Sequence, residues 1–284
     1  MAKSVVITGA NSGIGLITAI ELAKAGYEVY GTARSAEKVA GLEKEAASRG
    51  VTVTGVVCDV SDADSTAQGF AEIAERTGGG PYAVVNNAGS AQAGAIEDVD
   101  DEKVRRQLEI NLVAPARVAR LVLPHMRAQG AGHILNVSSI AGRMSLPMMG
   151  WYCASKHGME AMTNALRVEV AQFGVKVTLI EPGSFGTSIW SAGAGSLPEP
   201  SDPAYAKAYQ RSNQVTSSDG LMPDPVWVAR TIRLALASPM PLPRYLIGID
   251  AIGGALSEKL VPTTVTDAVK GFATGLRKLP FSRR

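Results

Sequence analysis

The sequence has few cysteines, few aromatic residues and little net charge. Two cysteines, Cys58 and Cys153, are too few for a disulfide framework and favour a reducing compartment. A net charge of +2, with no basic run of five or more residues, gives no reason to expect nucleic-acid binding. Three scattered histidines do not form a metal site with these cysteines, so we expect no metal.

Long apolar runs and a secretion signal are also missing. Nowhere do eighteen apolar residues follow one another, so we expect no transmembrane helix. The N-terminal apolar run is short and leads directly into a glycine-rich turn, unlike a signal peptide. Because 46% of the 284 residues are apolar, the chain can bury a sizeable core. We expect one soluble, cytoplasmic domain over residues 1–284.

Short β-branched runs alternate with longer segments of helical period. The strand Val5–Ile7 precedes a helix over Gly13–Ala25, and the strand Glu28–Thr32 precedes a helix over Ala36–Ser48. Further predicted strands are Val51–Val57, Ala83–Asn86, His133–Val137, Val175–Ile180 and Tyr245–Ile249. This alternation predicts an α/β fold with a Rossmann-type, doubly wound parallel sheet flanked by helices.

Two segments depart from this alternation. Residues 184–225 contain a long stretch rich in Gly, Pro and Ser, which predicts a substrate-side flap within the domain. Residues 250–284 form a predicted C-terminal extension, in which Thr264–Arg284 carries apolar residues at helical spacing among basic ones. This tail could dock on the fold, cover a surface used for oligomerisation or lie on an anionic membrane, and we favour docking.

A glycine-rich turn, TGANSGIG at Thr8–Gly15, joins the first predicted strand to the first helix. Glycines let a backbone turn tightly and approach a pyrophosphate, which the N-terminus of the helix then attracts. The spacing differs from the commoner GxGxxG pattern, and a purely structural turn is the alternative. Its position at the first strand–helix junction favours a dinucleotide site. The candidate contacts are Gly9, Asn11, Ser12, Gly13, Ile14 and Gly15.

The end of the second strand indicates which dinucleotide is bound. NAD-selective sites place a carboxylate there to hold the ribose 2′-hydroxyl. Here the chain has no acid and instead has Arg34, whose guanidinium can pair with a 2′-phosphate. We therefore favour NADP(H); the alternative is an exposed arginine at a helix start.

Two later strand ends add candidate cofactor contacts. Asp59 and Val60 follow the third strand, where an adenine ring would lie, although an Asp at a turn is ordinarily a cap. Asn87, Ala88 and Gly89 follow the fourth strand. Small residues there would let the backbone approach the cofactor, while an Asn amide could fix a ribose or a neighbouring strand.

Tyr152 and Lys156 stand at positions i and i+4 of a predicted helix, on the same face. A phenol titrates near pH 10, and a fixed ammonium beside it favours the phenolate. We expect Lys156 to lower the pKa of Tyr152 toward the range of an acid/base catalyst. The alternative is an interfacial tyrosine and a solvated lysine that share a helix face by chance.

Taken together, these segments resemble the short-chain dehydrogenase/reductase family over roughly residues 3–190. The motifs TGANSGIG, NNAG, YCASK and PGSFGT (182–187) occur in family order and at family-like spacing. The resemblance implies hydride transfer between a nicotinamide and a carbonyl or carbinol carbon. It also implies a homodimer or homotetramer, formed through helices near residues 103–127 and 152–172.

The family's catalytic group maps to Asn111, Ser139, Tyr152 and Lys156. The resemblance implies that Tyr152 exchanges the proton with the substrate oxygen, while Ser139 hydrogen-bonds that oxygen. Lys156 would lower the tyrosine pKa and hold the nicotinamide ribose, and Asn111 would anchor a water beside the lysine. Ser138 is the less favoured alternative to Ser139, because its spacing to the tyrosine is one residue longer. The nicotinamide carboxamide would be held by Pro182, Gly183 and Thr187.

The stretch before Tyr152 bears on the substrate. Residues 143–151 include three methionines and a leucine, which with Phe185 and Trp190 would form an apolar, adaptable wall. Ordinary packing is the alternative. We expect a hydrophobic alcohol or ketone, such as a steroid, retinoid or lipid carbonyl, because the YCASK form, Arg34 and the extension resemble the family's steroid- and retinol-acting branches.

Two other functions remain open from the sequence. A non-catalytic NADP sensor could use the same fold, but a sensor does not need the tyrosine–lysine pair. An epimerase or dehalogenase relative is the other alternative. The filled carboxamide motif and Arg34 favour a reversible redox reaction instead.

Overall fold

The computed structural model describes residues 2–187, 189, 197–216 and 222–277. Seven parallel strands form one sheet in the order β3-β2-β1-β4-β5-β6-β7. Their bounds are β1 Ser4–Ile7, β2 Glu28–Ala33, β3 Thr54–Val57, β4 Ala83–Asn86, β5 Gly132–Val137, β6 Val175–Pro182 and β7 Arg244–Ile247. The chain winds outward from β1 to β3 and then from β4 to β7, so the predicted doubly wound parallel sheet is confirmed.

Helices connect consecutive strands and extend the chain beyond β7. They are α1 Gly13–Lys24, α2 Ala36–Ser48, α3 Ala63–Thr77, α4 Asp101–Leu108, α5 Ala114–Gln129, α6 Gly150–Ala171, α7 Ala206–Thr216, α8 Val226–Ala237, α9 Ile249–Leu260 and α10 Thr263–Thr274. The side chains of Ser35, Asp62 and Asp100 cap α2, α3 and α4 by accepting the amide three residues on. These caps fix where each helix begins.

Two of the predicted strands extend beyond the observed strands, each at one end. The predicted strand Val51–Val57 is shorter in the structure, because β3 pairs with β2 only from Thr54 onward. The predicted strand Tyr245–Ile249 was too long. Gly248 has φ +108, a backbone conformation that favours glycine, and Ile249 already begins α9.

Alternate residues of the strands contribute to two separate apolar cores, one on each face of the sheet. Val5 and Ile7 of β1 face a core that includes residues of α1, α2 and α8. Val6 faces the opposite side, where residues of α3, α5 and α6 cover the sheet. Since side chains alternate across a strand, helices on both faces require apolar residues at every position, as β1 has.

The described part of the flap rests on the loop after β4. The Tyr209 hydroxyl of α7 donates to Asp98 Oδ2 at 2.6 Å and accepts from the Ala95 amide at 3.1 Å. The predicted flap residue Trp190 and residues 188, 191–196 and 217–221 of the flap lie outside the described residues. The flap bounds 184–225 therefore stay a prediction.

The C-terminal extension docks on the flap helix. Arg211 Nη1 of α7 donates to the carbonyls of Phe272 and Ala273 in α10, each at 2.8 Å. Lys270 of α10 pairs with Glu258 of α9. Val265 and Val269 remain exposed. Docking thus holds for α10, whereas residues 278–284 lie outside the described part of the chain.

The described residues contain neither a membrane-spanning helix nor a cluster of metal-ligating side chains. No helix there is both long and apolar enough to cross a membrane. Within the same residues, no group of three or more His, Cys, Asp or Glu side chains could hold a metal ion. His133 is instead packed inside the sheet, where its Nε2 lies 2.9 Å from Thr178 Oγ1.

The turns that follow β1 and β4 are joined by a threonine. The Thr8 hydroxyl oxygen accepts the amides of Asn87 and Ala88, each at 3.0 Å. The Asn87 side chain donates in return to the Thr8 carbonyl at 2.9 Å and the Gly9 carbonyl at 3.2 Å. The sequence left open whether this asparagine amide fixes a ribose or a neighbouring strand. The structure shows that it links to the residues that follow β1.

Replacing Thr8 by valine should destabilise the fold at this junction. The change keeps the side-chain shape but leaves two backbone amides without an acceptor, at a cost of roughly 1–3 kcal/mol each. Thr18→Val is the matched control, because Thr18 is fully buried and its hydroxyl has no hydrogen-bond partner among the described residues. Urea unfolding followed by circular dichroism should show a large loss of unfolding free energy for Thr8→Val alone. Equal losses in the two variants would contradict the proposed junction.

Candidate active site

The carboxyl ends of the central strands surround a cleft of about 540 Å³. It extends from the residues after β3, across the reversal of strand order between β1 and β4, to the residues after β6. Ligand sites in open parallel sheets lie at such a reversal. Every site residue predicted from the sequence lines this cleft except Gly15 and Asn111.

Gly15 serves the packing of the glycine turn. A Cβ there would lie 2.4 Å from the Gly9 carbonyl oxygen and 2.5 Å from the Asn87 amide nitrogen, so only glycine lets α1 start this close to β4. Gly9 has φ +65, and a Cβ there would lie 3.0 Å from Ala88 Cα. The two glycines bring the backbone together, and the turn between them lines the cleft.

Asn111 lies in a π-helical turn, Glu109–Val113, between α4 and α5. Its side chain accepts the Ser90 amide at 2.9 Å and donates to the Ser90 carbonyl at 2.8 Å and to Ser155 Oγ at 2.9 Å. Single π-turns inside helices are frequent at functional sites. Here the turn aims Asn111 at the cleft wall and fastens that wall to α6.

Ser139 and Tyr152 meet on the wall formed by β5 and α6. Ser139 follows β5 by two residues and caps a short 3₁₀ helix, where its Oγ accepts the Ala141 amide at 3.1 Å. Its hydroxyl also hydrogen-bonds to the Tyr152 phenol. Both residues line the cleft, as does Ser138. The contact with the phenol agrees with choosing Ser139 over Ser138.

The pKa of the Tyr152 phenol is not lowered, contrary to the expectation from the sequence. Burial raises the pKa of Tyr152 to about 12, although the Ser139 hydrogen bond lowers it in part. Lys156 Nζ lies 5.9 Å from the centre of the Tyr152 ring and donates to the Val137 carbonyl at 2.9 Å. The expected lowering by Lys156 was wrong, because burial dominates and the opposing contribution comes from Ser139 and not from the lysine. The phenol is therefore protonated at neutral pH.

Lys156 is itself a buried cation. Only 3% of the residue is exposed, and burial lowers the pKa of Lys156 to about 8 while the charge of Glu160 opposes that shift. An ammonium with this pKa is still mostly charged at pH 7. Its contact with Val137, the last residue of β5, holds it at the cleft wall.

The end of the cleft near β2 and β3 is rich in cations. Arg34 and Lys38 line it beside β2, and Lys103 and Arg106 line it from α4. Of these four cations, only Arg34 was predicted from the sequence. Lys38 could have been found from its place in the sequence, since it lies in the first turn of α2, shortly after the end of β2.

Asp59 is chiefly a turn cap. Its Oδ1 accepts the Ser61 hydroxyl at 2.7 Å and the Ser61 amide at 2.9 Å. Burial acts to raise the pKa of Asp59, but these hydrogen bonds and the charges of Arg106 and Arg34 lower it overall. Asp59 still lines the cleft beside the cations.

The methionines before Tyr152 do not form the wall that the sequence suggested. Met148 and Met149 are buried and Met144 lies against Gly254, and none of the three lines the cleft. Packing, the alternative, is what the structure shows. Apolar contact with the cleft comes instead from Ala91, Phe185 and Ile189.

Asp250 is a residue that sequence reasoning missed. Its carboxylate accepts the Ser184 amide at 2.6 Å and fills the space where Gly183 would carry a Cβ. The first turn of α9 thereby fixes the backbone that follows β6. The two residues are 66 positions apart in sequence, so no local signal pointed to this contact.

Comparison with known proteins places this arrangement in a family. A family model described as short chain dehydrogenase matches residues 3–194. The oxidoreductase YusZ of Bacillus subtilis is 37% identical over 94% of this chain and 96% of its own. An NADPH-dependent 3-dehydrocapnine reductase of Ornithobacterium rhinotracheale is 31% identical, covering 96% and 97%. Retinol dehydrogenase 7 of Mus musculus is also 31% identical, covering 94% and 87%.

A solved structure extends the likeness to the whole fold. The crystal structure of a short-chain dehydrogenase from Streptomyces avermitilis matches with a TM-score of 0.80 and 33% identity, over 97% of this chain and 96% of that one. The matched family model covers the glycine turn, Ser139, Tyr152 and Lys156. The chain therefore belongs to the short-chain dehydrogenase/reductase family of oxidoreductases.

Proposed function

We propose that the protein transfers a hydride between NADP(H) and a hydrophobic alcohol or ketone. The observation that carries this proposal is the shared cleft. Tyr152, Ser139 and Lys156 line it at one end, and the glycine turn, Arg34 and Lys38 line it toward the other. An acid/base group and an anion-binding end are thus held in one cavity by one sheet.

The residues present fit a dinucleotide. Gly9 and Gly13 have φ +65 and +54 at the N-terminus of α1, which leaves the backbone amides of the turn free of bulky side chains. Amides at a helix N-terminus attract phosphate groups. Toward β6, Pro182, Gly183 and Thr187 line the cleft and would hold the nicotinamide end. When bound, the cofactor supplies or accepts the hydride.

Tyr152 is the proposed proton donor in carbonyl reduction. Its phenol is protonated at neutral pH, since its pKa is raised to about 12. An alkoxide has a conjugate-acid pKa comparable to that of water, about 16, so proton transfer from the phenol to it is downhill. The reverse reaction needs the phenolate, which burial disfavours. The protonated phenol can therefore serve as the proton donor in the reduction direction.

Ser139 and Lys156 would stabilise the charges that develop. The Ser139 hydroxyl, adjacent to the phenol, can donate to the substrate oxygen as negative charge forms on it. The Lys156 ammonium would stabilise the phenolate left after proton transfer and hold the nicotinamide ribose. Asn111 links Ser90, after β4, to Ser155 of α6, the helix that carries Tyr152 and Lys156, which supports its assignment to the same catalytic group.

A preference for NADP(H) over NAD(H) is supported by charge. Arg34 and Lys38 supply two cations where β2 ends, and no acid stands there to hold a 2′-hydroxyl. A guanidinium pairs with a phosphate more strongly than with a neutral hydroxyl. The 3-dehydrocapnine reductase relative is named as NADPH-dependent, which supports the same choice.

A hydrophobic substrate is supported by the wall around the phenol. Ala91 and Ile189 pack in one apolar cluster with Tyr152 and line the cleft, as does Phe185. Retinol, a hydrophobic alcohol, gives one relative its name. We place the substrate in the class of steroid, retinoid or lipid carbonyls and their alcohols.

We also propose that the protein forms a homodimer or a homotetramer. Val113 and Leu121 near α5 and Val168 of α6 are exposed, Val168 by 77%. These residues lie within or beside the two helical regions that the family resemblance assigns to the subunit interface. Their apolar exposure supports association through this surface.

Tyr152→Phe should abolish the proton transfer while leaving NADPH binding intact. Removing a positioned acid/base group lowers turnover by about 10²–10⁴-fold. The control is Tyr27→Phe, which removes a hydroxyl outside the cleft. The measurement is NADPH consumption over ketosteroids, retinal and aliphatic ketones, with NADPH affinity followed by fluorescence. Unchanged turnover in Tyr152→Phe would refute the assignment.

Arg34→Asp should weaken NADPH far more than NADH. Losing a charge-assisted contact to the 2′-phosphate and gaining a like charge should lower NADPH affinity by about 100-fold, with little change for NADH. Arg49→Asp makes the same change of charge at the exposed end of α2 and serves as the control. Fluorescence titration of both cofactors checks this. Equal loss for NADPH and NADH would contradict the 2′-phosphate role.

A further inference from the structure

A buried ionic cluster lies next to α6, the helix that carries Tyr152 and Lys156, and its residues do not line the cleft. Glu181 in β6 is fully buried, and Glu160 in α6 is 6% exposed. Arg244 Nη1 bridges them, at 3.1 Å from Glu160 Oε2 and 3.2 Å from Glu181 Oε1. Arg143 Nη1 lies 3.4 Å from Glu181 Oε2. The two buried carboxyls thus share one arginine.

The two carboxyls are close enough to share a proton. Glu160 Oε1 is buried and accepts from no donor in the described part of the chain, while Glu181 is placed to hydrogen-bond with Glu160. Burial and the charge of Glu160 raise the pKa of Glu181 to about 7, against the charges of Arg143 and Arg244. A proton on Glu181 would give the unpartnered Glu160 oxygen its donor and leave the negative charge on Glu160.

Glu160 lies one helical turn after Lys156 in α6. The two are four residues apart in α6, on one helix face. A Cβ on Gly142 would lie 2.8 Å from Ser138 Oγ, 2.9 Å from Glu160 Cγ and 3.1 Å from the Lys156 carbonyl, so glycine lets this loop close over the pair. The charged groups around Glu160 are Lys156 and Arg167 of α6, Glu181 of β6, Arg244 of β7 and, through Glu181, Arg143.

We propose that Glu160 is a positioning residue for the catalytic site. The Glu160–Glu181 carboxyl pair, holding one proton, provides the single negative charge that keeps the buried Lys156 ammonium charged at neutral pH. The inference rests on the proposed oxidoreductase function for its catalytic meaning, since Glu160 acts through Lys156. The effect on Lys156 itself is measurable without turnover.

The direct test is the titration of Lys156 by NMR in protein labelled with [ε-¹³C]lysine. The Lys156 resonance is assigned by its disappearance in Lys156→Met. In Glu160→Gln, the pKa of Lys156 should fall by about one unit, because the pair's negative charge then moves to Glu181 in β6, and of the two carboxyls only Glu160 acts on Lys156. In Glu181→Gln it should fall by less than half as much, because the amide imitates the protonated acid and Glu160 keeps its charge. Glu160→Asp should restore part of the parent value.

Activity gives the second readout. Carbonyl reduction needs charged Lys156, so the rate falls as pH rises through the pKa of Lys156. A lower pKa moves that fall to lower pH in Glu160→Gln, while its rate at pH 6 stays near the parent rate. Glu169→Gln, an exposed change on the same helix, should leave the profile in place. A merely structural role would lower the rate equally at all pH values.

The outcomes separate the two proposals. An unshifted Lys156 resonance in Glu160→Gln, or a shift in Glu181→Gln as large as in Glu160→Gln, overturns the inference. A uniform loss of rate at every pH does the same. If the parent protein reduces no carbonyl, the proposed function fails, and the NMR titration still decides whether Glu160 supports the charge of Lys156.

Discussion

The site depends on keeping one ammonium group charged inside the protein. Lys156 is 3% exposed, and a buried cation is stable only when it is hydrogen-bonded and near an opposite charge. The Val137 carbonyl at the end of β5 provides the hydrogen bond, and Glu160, one helical turn away, provides the charge. Sheet and helix must therefore keep a fixed relation, because a shift between them would separate the lysine from the carbonyl.

The fold supplies that relation through its topology. Because all seven strands are parallel, their carboxyl ends meet at one edge, where turns from distant parts of the sequence become neighbours. Thr8 joins the turns after β1 and β4, and Asn111 joins the turn after β4 to α6. Asp250 fixes the residues after β6 from the far end of the chain. Each contact closes a different side of the same cleft.

Most of this architecture was predictable because it rests on local patterns. The alternation of apolar runs predicted the doubly wound sheet, and the glycine turn and the Tyr152–Lys156 spacing predicted where the cleft would lie. What could not be predicted depends on burial and long-range contact. The raised pKa of Tyr152 follows from an environment that no spacing reveals, and the buried methionines before it resemble a substrate wall equally well in sequence.

A crystal structure of the NADPH complex tests the account most directly. It should place Lys156 Nζ within hydrogen-bond distance of the nicotinamide ribose hydroxyls. It should also show the reactive ring carbon facing the space beside Tyr152 Oη and Ser139 Oγ, with the 2′-phosphate between Arg34 and Lys38. A nicotinamide held away from Tyr152, or a phenol turned out of the cleft, would contradict the account.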